Sequence, residues 1–265
     1  MTSFIYLTIL NIISFLQLSN IEYNNKTFSL VKKYYYIEDT CEFCPKVTDN
    51  YSYTIEKVND FLKSNPSTIA SSFIVKKQNS LNYHITSEHV CRSLFDSESE
   101  IKEKKYISDI LSRTFLFYEV YKSNFIIKTK VVLEDIDNNE HTFVSVVKTK
   151  REEDICIFNT ADNWGEKVIF SEKPPKIGDV LYNITGILGV RSKNGFVIFT
   201  GIYFGEKNNH TFLSSIYAKP GSSGSPVFNL KGKLVGAIHT TYEGLKNISM
   251  STKLKEIQKI LEEIK

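Results

Sequence analysis

Lys219-Pro220-Gly221-Ser222-Ser223-Gly224-Ser225-Pro226-Val227-Phe228-Asn229 sets a serine among glycines. A serine hydroxyl attacks a carbonyl efficiently only where neighbouring backbone N–H groups converge on the oxygen that becomes negative. That convergence needs a tight backbone, for which Gly221 has the conformational freedom, while Gly224 leaves room for a substrate beside Ser223. The plain alternative is a Gly/Ser-rich turn. A nucleophilic serine also needs a base, and His84 and His89 stand five residues apart in Tyr83–Cys91. His84 alternates into a strand pattern, which favours a structural role. Taken singly, His89 reads as a surface histidine and Asp154 as a strand-edge charge.

Four cysteines, Cys41, Cys44, Cys91 and Cys156, are compatible with two disulfides in an oxidising compartment. Cys41-Glu42-Phe43-Cys44 has the spacing of half a zinc site or of a redox motif. No second pair completes a zinc ribbon, and no strand-to-helix setting surrounds it, so a local disulfide or free thiols is the favoured reading.

The elements that must position these residues belong to a chain of 265 residues, 42% apolar and 13% aromatic, enough for one large core or two small ones. Its 33 basic and 30 acidic residues leave a net charge of +3. The basic residues are scattered, so no field for nucleic acid is implied. Residues 1–20 carry no charge and are mostly apolar from Phe4 to Leu18. They read as a signal peptide or a membrane-associated helix, and imply a secreted or membrane-associated protein, with a cytoplasmic one as the alternative.

Residues 21–65 form an N-terminal extension of unknown role, with a β-like run at Lys33–Ile37 and an amphipathic helix over Thr54–Lys63 closed by Pro66. Ser72–Val75 and Leu81–Thr86 flank a polar turn and predict a hairpin. Ser93–Lys105 is charged and reads as a surface loop or short helix. Strands are expected at Phe115–Tyr121, Phe125–Leu133, Thr142–Lys148 and Ile155–Phe158. The Pro-rich stretch Ser171–Lys176 is the best linker. Five more strand-like runs follow, Val180–Ile187, Gly195–Phe204, Thr211–Tyr217, Ser225–Leu230 and Lys233–His239. Thr252–Ile264 then has helical periodicity, with one face to pack on the second strand set. The pattern predicts an all-β fold of two small barrels or sandwiches, one over residues 66–170 and one over 171–265.

The serine segment resembles the Gly-x-Ser-Gly-Gly/Ser-Pro signature of chymotrypsin-like serine peptidases, and Gly224–Asn229 is similar to bacterial glutamyl endopeptidases and phage-type trypsin-like enzymes. Tyr83–Cys91 resembles that family's strand ending in Leu-Thr-Ala-Ala-His, after a Ser-x-Phe-x-Val strand at Ser71–Val75. Glu153–Phe158 resembles the Asp-Ile/Leu-Ala-Leu-Leu motif, and Ile177–Gly186 the start of the second barrel in Deg-type members. Together these cover residues 68–264. The resemblance implies two six-stranded antiparallel β-barrels with a C-terminal helix. It also implies a catalytic triad of His89, Asp154 and Ser223, in the chain order this class uses. The oxyanion hole would then be the N–H groups of Gly221 and Ser223. Intervals of 65 and 69 residues between triad members leave about one small barrel each.

The implied activity is a serine endopeptidase acting on protein or peptide substrates through an acyl-enzyme, needing no metal or cofactor. The alternative is a catalytically silent trypsin-like binding module. Val235–Thr241 resembles a wall of the primary specificity pocket, so Tyr217, His239 and Thr241 are the candidate substrate contacts, with His239 a possible partner for an acidic side chain. No acid lies in Ser215–Pro220, which argues against cleavage after Lys or Arg. Ser222 stands where trypsin carries Asp, and the chain lacks an Ile-Val-Gly-Gly start, so activation by a new N-terminus is not implied. A hydrogen bond between His89 and Asp154 would bring Cys91 and Cys156 together behind the triad, bonded or as packed thiols. Two unrelated buried cysteines is the rival reading.

Overall fold

The computed structural model describes residues 26–40, 49–95, 97–114, 125–162, 164–192, 195–242 and 245–264. The apolar leader at 1–20, Cys41 and Cys44, and the strand expected at 115–121 lie outside them. The chain divides into two compact units, one of Met1–Val31, Ile69–Cys91 and Leu133–Lys265, the other of Lys32–Thr68 and Arg92–Val132.

The fold is mostly β. Strands β1 (Phe28–Asp39), β2 (Thr68–Gln78), β3 (Leu81–Thr86), β4 (Phe125–Glu134), β5 (Glu140–Lys150) and β6 (Ile155–Thr160) close a barrel in the order β1-β2-β3-β6-β5-β4. The expected hairpin is β2–β3, with Gln78 paired to Leu81. Asn79 and Ser80 at its tip both have positive φ, 52° and 61°, the conformation of a two-residue turn that follows the right-handed strand twist. β3 and β6 run antiparallel with Thr86 opposite Cys156. The residues that follow β3 therefore meet those that precede β6, which is how His89 and Asp154 are brought together.

The second sheet contains β7 (Val180–Thr185), β8 (Arg191–Ser192), β9 (Gly195–Glu206), β10 (Thr211–Ser214), β11 (Pro226–Asn229), β12 (Leu234–Tyr242) and β13 (Leu245–Lys253), in the order β10-β13-β12-β11-β7-β9-β8. β10 also pairs with β9, so all but β8 return on themselves as a ring of six. Its interior holds Leu181, Tyr203, Phe212, Ile216, Val227, Val235 and Ile238. β13 is not evident in the sequence because the residues it buries include Ser249 and Ser251, both fully enclosed. Ser249 Oγ bonds Ser214 Oγ at 2.9 Å, which satisfies one such hydroxyl without apolar patterning.

A second core joins Phe28, Phe73, Ile85, Ile155, Ile157, Tyr182, Ile184 and Phe228 to the C-terminal helix through Ile257 and Ile260. That helix spans Leu254–Glu262 and has the amphipathic face its spacing predicts. In the other unit, helices at Asp49–Ser64 and Ser97–Thr114 contribute Val58, Leu62 and Leu111 to a cluster with Tyr35, Ile37 and Phe125. The charged stretch after Cys91 is thus more helical than its sequence suggests. A helix over Glu88–Phe95 is followed directly by the 18-residue one at Ser97–Thr114. Few apolar residues mark the latter because buried polar contacts help to hold it, among them Glu103 on the enclosed Lys33 ammonium at 3.1 Å and Glu100 on Thr129 Oγ1 at 2.7 Å. The helices are numbered α1 (Asp49–Ser64), α2 (Glu88–Phe95), α3 (Ser97–Thr114) and α4 (Leu254–Glu262).

His84 is structural. It is fully buried on β3, stacked on Phe158 at 5.2 Å and near Trp164 at 5.4 Å, and its Nδ1 has no hydrogen-bond partner. Burial, with a smaller contribution from the charge of His141, lowers its pKa from 6.5 to about 3. Between those values the unfolded chain binds a proton that the folded chain refuses. Stability is therefore complete above about 6.5 and declines as pH falls toward 3, by an amount on the order of several kcal/mol. His84→Phe keeps the ring stack and removes the titration. Urea unfolding from pH 7 to 4 should show a shallower decline for this variant than for the parent; equal slopes would contradict the assignment.

Candidate active site

Ser223 sits in the turn between β10 and β11, and its geometry depends on two glycines. Gly221 has φ +97° and Gly224 φ +82°. A Cβ on Gly221 would lie 2.5 Å from Gly186 O, and one on Gly224 2.2 Å from Ser71 O, so both positions exclude a side chain on contact as well as on backbone conformation. The turn is pinned by Ser71 at the start of the Ser-x-Phe-x-Val strand: its N–H donates to Ser223 O at 2.9 Å and its hydroxyl to Gly221 O at 2.7 Å. Thr86 Oγ1 in turn donates to Ser71 O at 2.9 Å. Sequence reasoning used Ser71 only to mark a strand, and its signal as a positioning residue was no more than that place. Ser222 is buried, with its hydroxyl receiving bonds from Thr185 Oγ1 at 3.1 Å and Lys219 N at 3.2 Å. Neutral partners thus occupy the position where trypsin carries its activating acid.

Among the described residues, the N–H groups of Gly221 and Ser223 donate no backbone hydrogen bond, whereas those of Ser222, Gly224 and Ser225 each do. Two unengaged donors on one tight turn, beside Ser223 Oγ, are what an oxyanion hole requires.

His89 lies in the first turn of α2. Its Nε2 is 3.0 Å from Ser223 Oγ and its Nδ1 is 2.8 Å from Asp154 Oδ2. The His89 backbone N–H donates to the other carboxylate oxygen at 3.0 Å, which fixes the acid against the helix start. Asp154 lies just before the strand that carries Cys156. β6 begins at Ile155, and Asp154 ends the preceding turn with φ 50°, its N–H donating to Arg151 O at 3.2 Å. This left-handed conformation, which Asp tolerates better than most residues, turns the carboxylate toward His89. Burial would raise the Asp154 pKa. The hydrogen bonds from His89, with electrostatic attraction to the His89 and His239 imidazoles, outweigh it and hold the carboxyl below its ordinary value, so the group is an anion at neutral pH.

His239 is at the site, but its imidazole turns toward Asp154. Nδ1 is 3.7 Å from Asp154 Oδ2, the side chain is 12% exposed, and its carbonyl lies 3.3 Å from Ser223 Oγ as an acceptor. Burial lowers its pKa from 6.5 to about 4 against the pull of Asp154. Tyr217 and Thr241, by contrast, are exposed. The Tyr217 ring packs against Phe199 at 5.3 Å, with Lys219 Nζ 5.8 Å from its centroid.

Cys91 and Cys156 form a disulfide with Cα atoms 6.3 Å apart, the bonded alternative for this pair. It links α2 and β6 directly behind His89 and Asp154.

Residues 70–236 match the trypsin-like peptidase domain. This chain belongs to that family. The peptidase domain meets the expectation of a chymotrypsin-like serine endopeptidase, a hydrolase acting on protein or peptide substrates. Its fold is similar to the serine endoprotease of Yersinia pestis, with a TM-score of 0.60 and 14% identity over 94% of this chain and 66% of that one. It is also similar to a protease of M. tuberculosis in its active form, with a TM-score of 0.55 and 11% identity over 91% of this chain and 82% of that one. The inactive form of the M. tuberculosis protein gives a TM-score of 0.54 at 11% identity, covering 94% and 89%. At these identities the likeness is one of fold. Among curated proteins, none matches the peptidase domain in sequence.

Proposed function

We propose that the peptidase domain hydrolyses peptide bonds with Ser223 as nucleophile, His89 as general base and Asp154 as the group that orients the imidazole. The observation that carries this reading is the continuous contact Asp154 Oδ2–His89 Nδ1 at 2.8 Å and His89 Nε2–Ser223 Oγ at 3.0 Å. Neutral His89 takes the Ser223 proton as Oγ attacks the substrate carbonyl, and the anionic Asp154 stabilises the imidazolium that forms. The N–H groups of Gly221 and Ser223 receive the oxyanion. His89 then protonates the leaving amine, and water, activated by the same imidazole, releases the acyl group from Ser223.

Tyr217 and Thr241, exposed on the two segments beside Ser223, are the assigned substrate contacts. His239 is assigned to Asp154 instead, since its ring is largely enclosed and turned toward that carboxylate. The Cys91–Cys156 bond and the apolar residues 1–20 together support export or membrane attachment, with fractionation of full-length and 1–20-deleted protein as the check. Among the described residues, no helix is long and apolar enough to cross a membrane.

A fluorophosphonate probe tests the catalytic reading, because it reacts with a serine only when a base activates it. The folded protein should be labelled at Ser223, and His89→Ala should lose the label. A folded protein that resists the probe would be the silent binding module instead.

A further inference from the structure

A second cluster of reactive side chains lies one residue from the triad acid. Glu153, His210 and Glu256 present one donor atom each, all within 4.8 Å of one another. The carboxylates are enclosed, with side chains 11% and 9% exposed for Glu153 and Glu256. Burying two like charges face to face is costly unless a cation stands between them.

The imidazole does not fill that role as a hydrogen-bonded partner. His210 Nδ1 is 3.5 Å from Glu256 Oε2 and 4.0 Å from Glu153 Oε1, and this buried atom has no hydrogen-bond partner. His89 closes on Asp154 to 2.8 Å and His141 on Asp135 to 2.9 Å, whereas His210, like His239 at 3.7 Å from Asp154, stands off from its carboxylates. Among the described residues, no neighbouring lysine stands between the two carboxylates at hydrogen-bond distance. Lys150 Nζ bonds Glu263 at 2.5 Å, and the exposed Lys255 ammonium is 3.8 Å from the other Glu256 oxygen.

The geometry points to a binding site for one divalent cation of the zinc class, held by Glu153, His210 and Glu256. One imidazole nitrogen and two carboxylate oxygens are a borderline donor set that suits zinc. Donors around a tetrahedral zinc stand about 3.3–3.5 Å apart, a spacing that the His210–Glu256 pair already has at 3.5 Å and that the His210–Glu153 pair, at 4.0 Å, reaches by a side-chain adjustment. The backbones that carry the donors are already fixed. Glu153 O accepts from Thr252 Oγ1 at 2.6 Å, His210 O accepts from Lys253 N at 2.9 Å, and Glu256 stands in the first turn of α4, which starts at Leu254. A bound ion would tie the turn that holds Asp154 to the β13–α4 junction. Its role is to brace the acid, and it takes no part in the acyl transfer proposed above.

The test is calorimetric titration of zinc chloride into full-length Ser223→Ala protein, chosen to prevent self-digestion, with thermal unfolding measured in parallel. One zinc per chain should bind and raise Tm. His210→Asn and the nearly isosteric Glu256→Gln should each weaken binding at least tenfold and remove the Tm rise. His89→Ala should bind zinc as the parent does, and calcium and magnesium chloride should bind at least tenfold more weakly than zinc. The proposal is overturned by the absence of saturable binding, by zinc binding that survives both substitutions, by loss of binding in His89→Ala, or by calcium or magnesium matching zinc. Failure here leaves the peptidase reading intact, since that is read by the fluorophosphonate label.

Discussion

Ser223→Ala is expected to lower kcat on any cleavable peptide by at least about 10⁴-fold, while Tm stays within about 2 °C of the parent. The substitution deletes the only atom that forms the acyl-enzyme bond, and it removes a single hydroxyl whose contacts are His89 Nε2 and His239 O. His89→Ala should cost a comparable amount, because an unassisted serine hydroxyl is a poor nucleophile at neutral pH. The double variant should be little worse than either single one, since members of the triad act as a unit. Any residual turnover is expected from the proposed oxyanion donors of Gly221 and Ser223, which both substitutions leave in place. Initial rates on a fluorogenic peptide, with circular dichroism to confirm folding, give the answer. Near-normal kcat in Ser223→Ala would remove Ser223 from the mechanism.

Replacing Cys91 and Cys156 together by alanine should cost more stability than turnover. The bond joins residues 65 positions apart. Closing a loop of that length restricts the unfolded chain by an amount that corresponds to roughly 4 kcal/mol, so Tm should fall by on the order of 10 °C. The Asp154–His89–Ser223 contact has independent supports: the paired strands β3 and β6, the bond from the His89 N–H to Asp154, and the Arg151–Asp154 turn. Assayed well below the lowered Tm, kcat/KM should therefore stay within about threefold of the parent. A variant that kept its Tm but lost activity a hundredfold would show that the bond sets triad geometry directly.

Much of the site is legible because its chemistry is local. The Gly221–Ser223–Gly224 turn works through adjacent backbone groups, and adjacency is what a sequence displays. The β2–β3 hairpin is legible for the same reason, its tip being two residues that accept positive φ. Helices α1 and α4 follow from apolar periodicity, which states which face is buried without saying against what.

The sequence by itself determined the glycine-flanked Ser223 turn, the chain order of the triad candidates and the alternation of short strands that makes the fold mostly β. Tertiary structure alone decided the features that depend on partners far along the chain. Asp154 reaches His89 from a left-handed turn, which strand alternation cannot express. His239 on β12 stands 3.7 Å from Asp154, a proximity that its place in the sequence does not announce. Cys91 met Cys156 through the register of β3 on β6, when distance along the chain allowed either a bond or two separate thiols. Glu153, His210 and Glu256 are scattered in sequence, and only the backbone bonds at the β13–α4 junction assemble them. Buried serines and ion pairs hold β13 and α3 with little apolar signal. Polar groups inside a protein are stable only when a particular partner meets them, and no linear pattern names that partner.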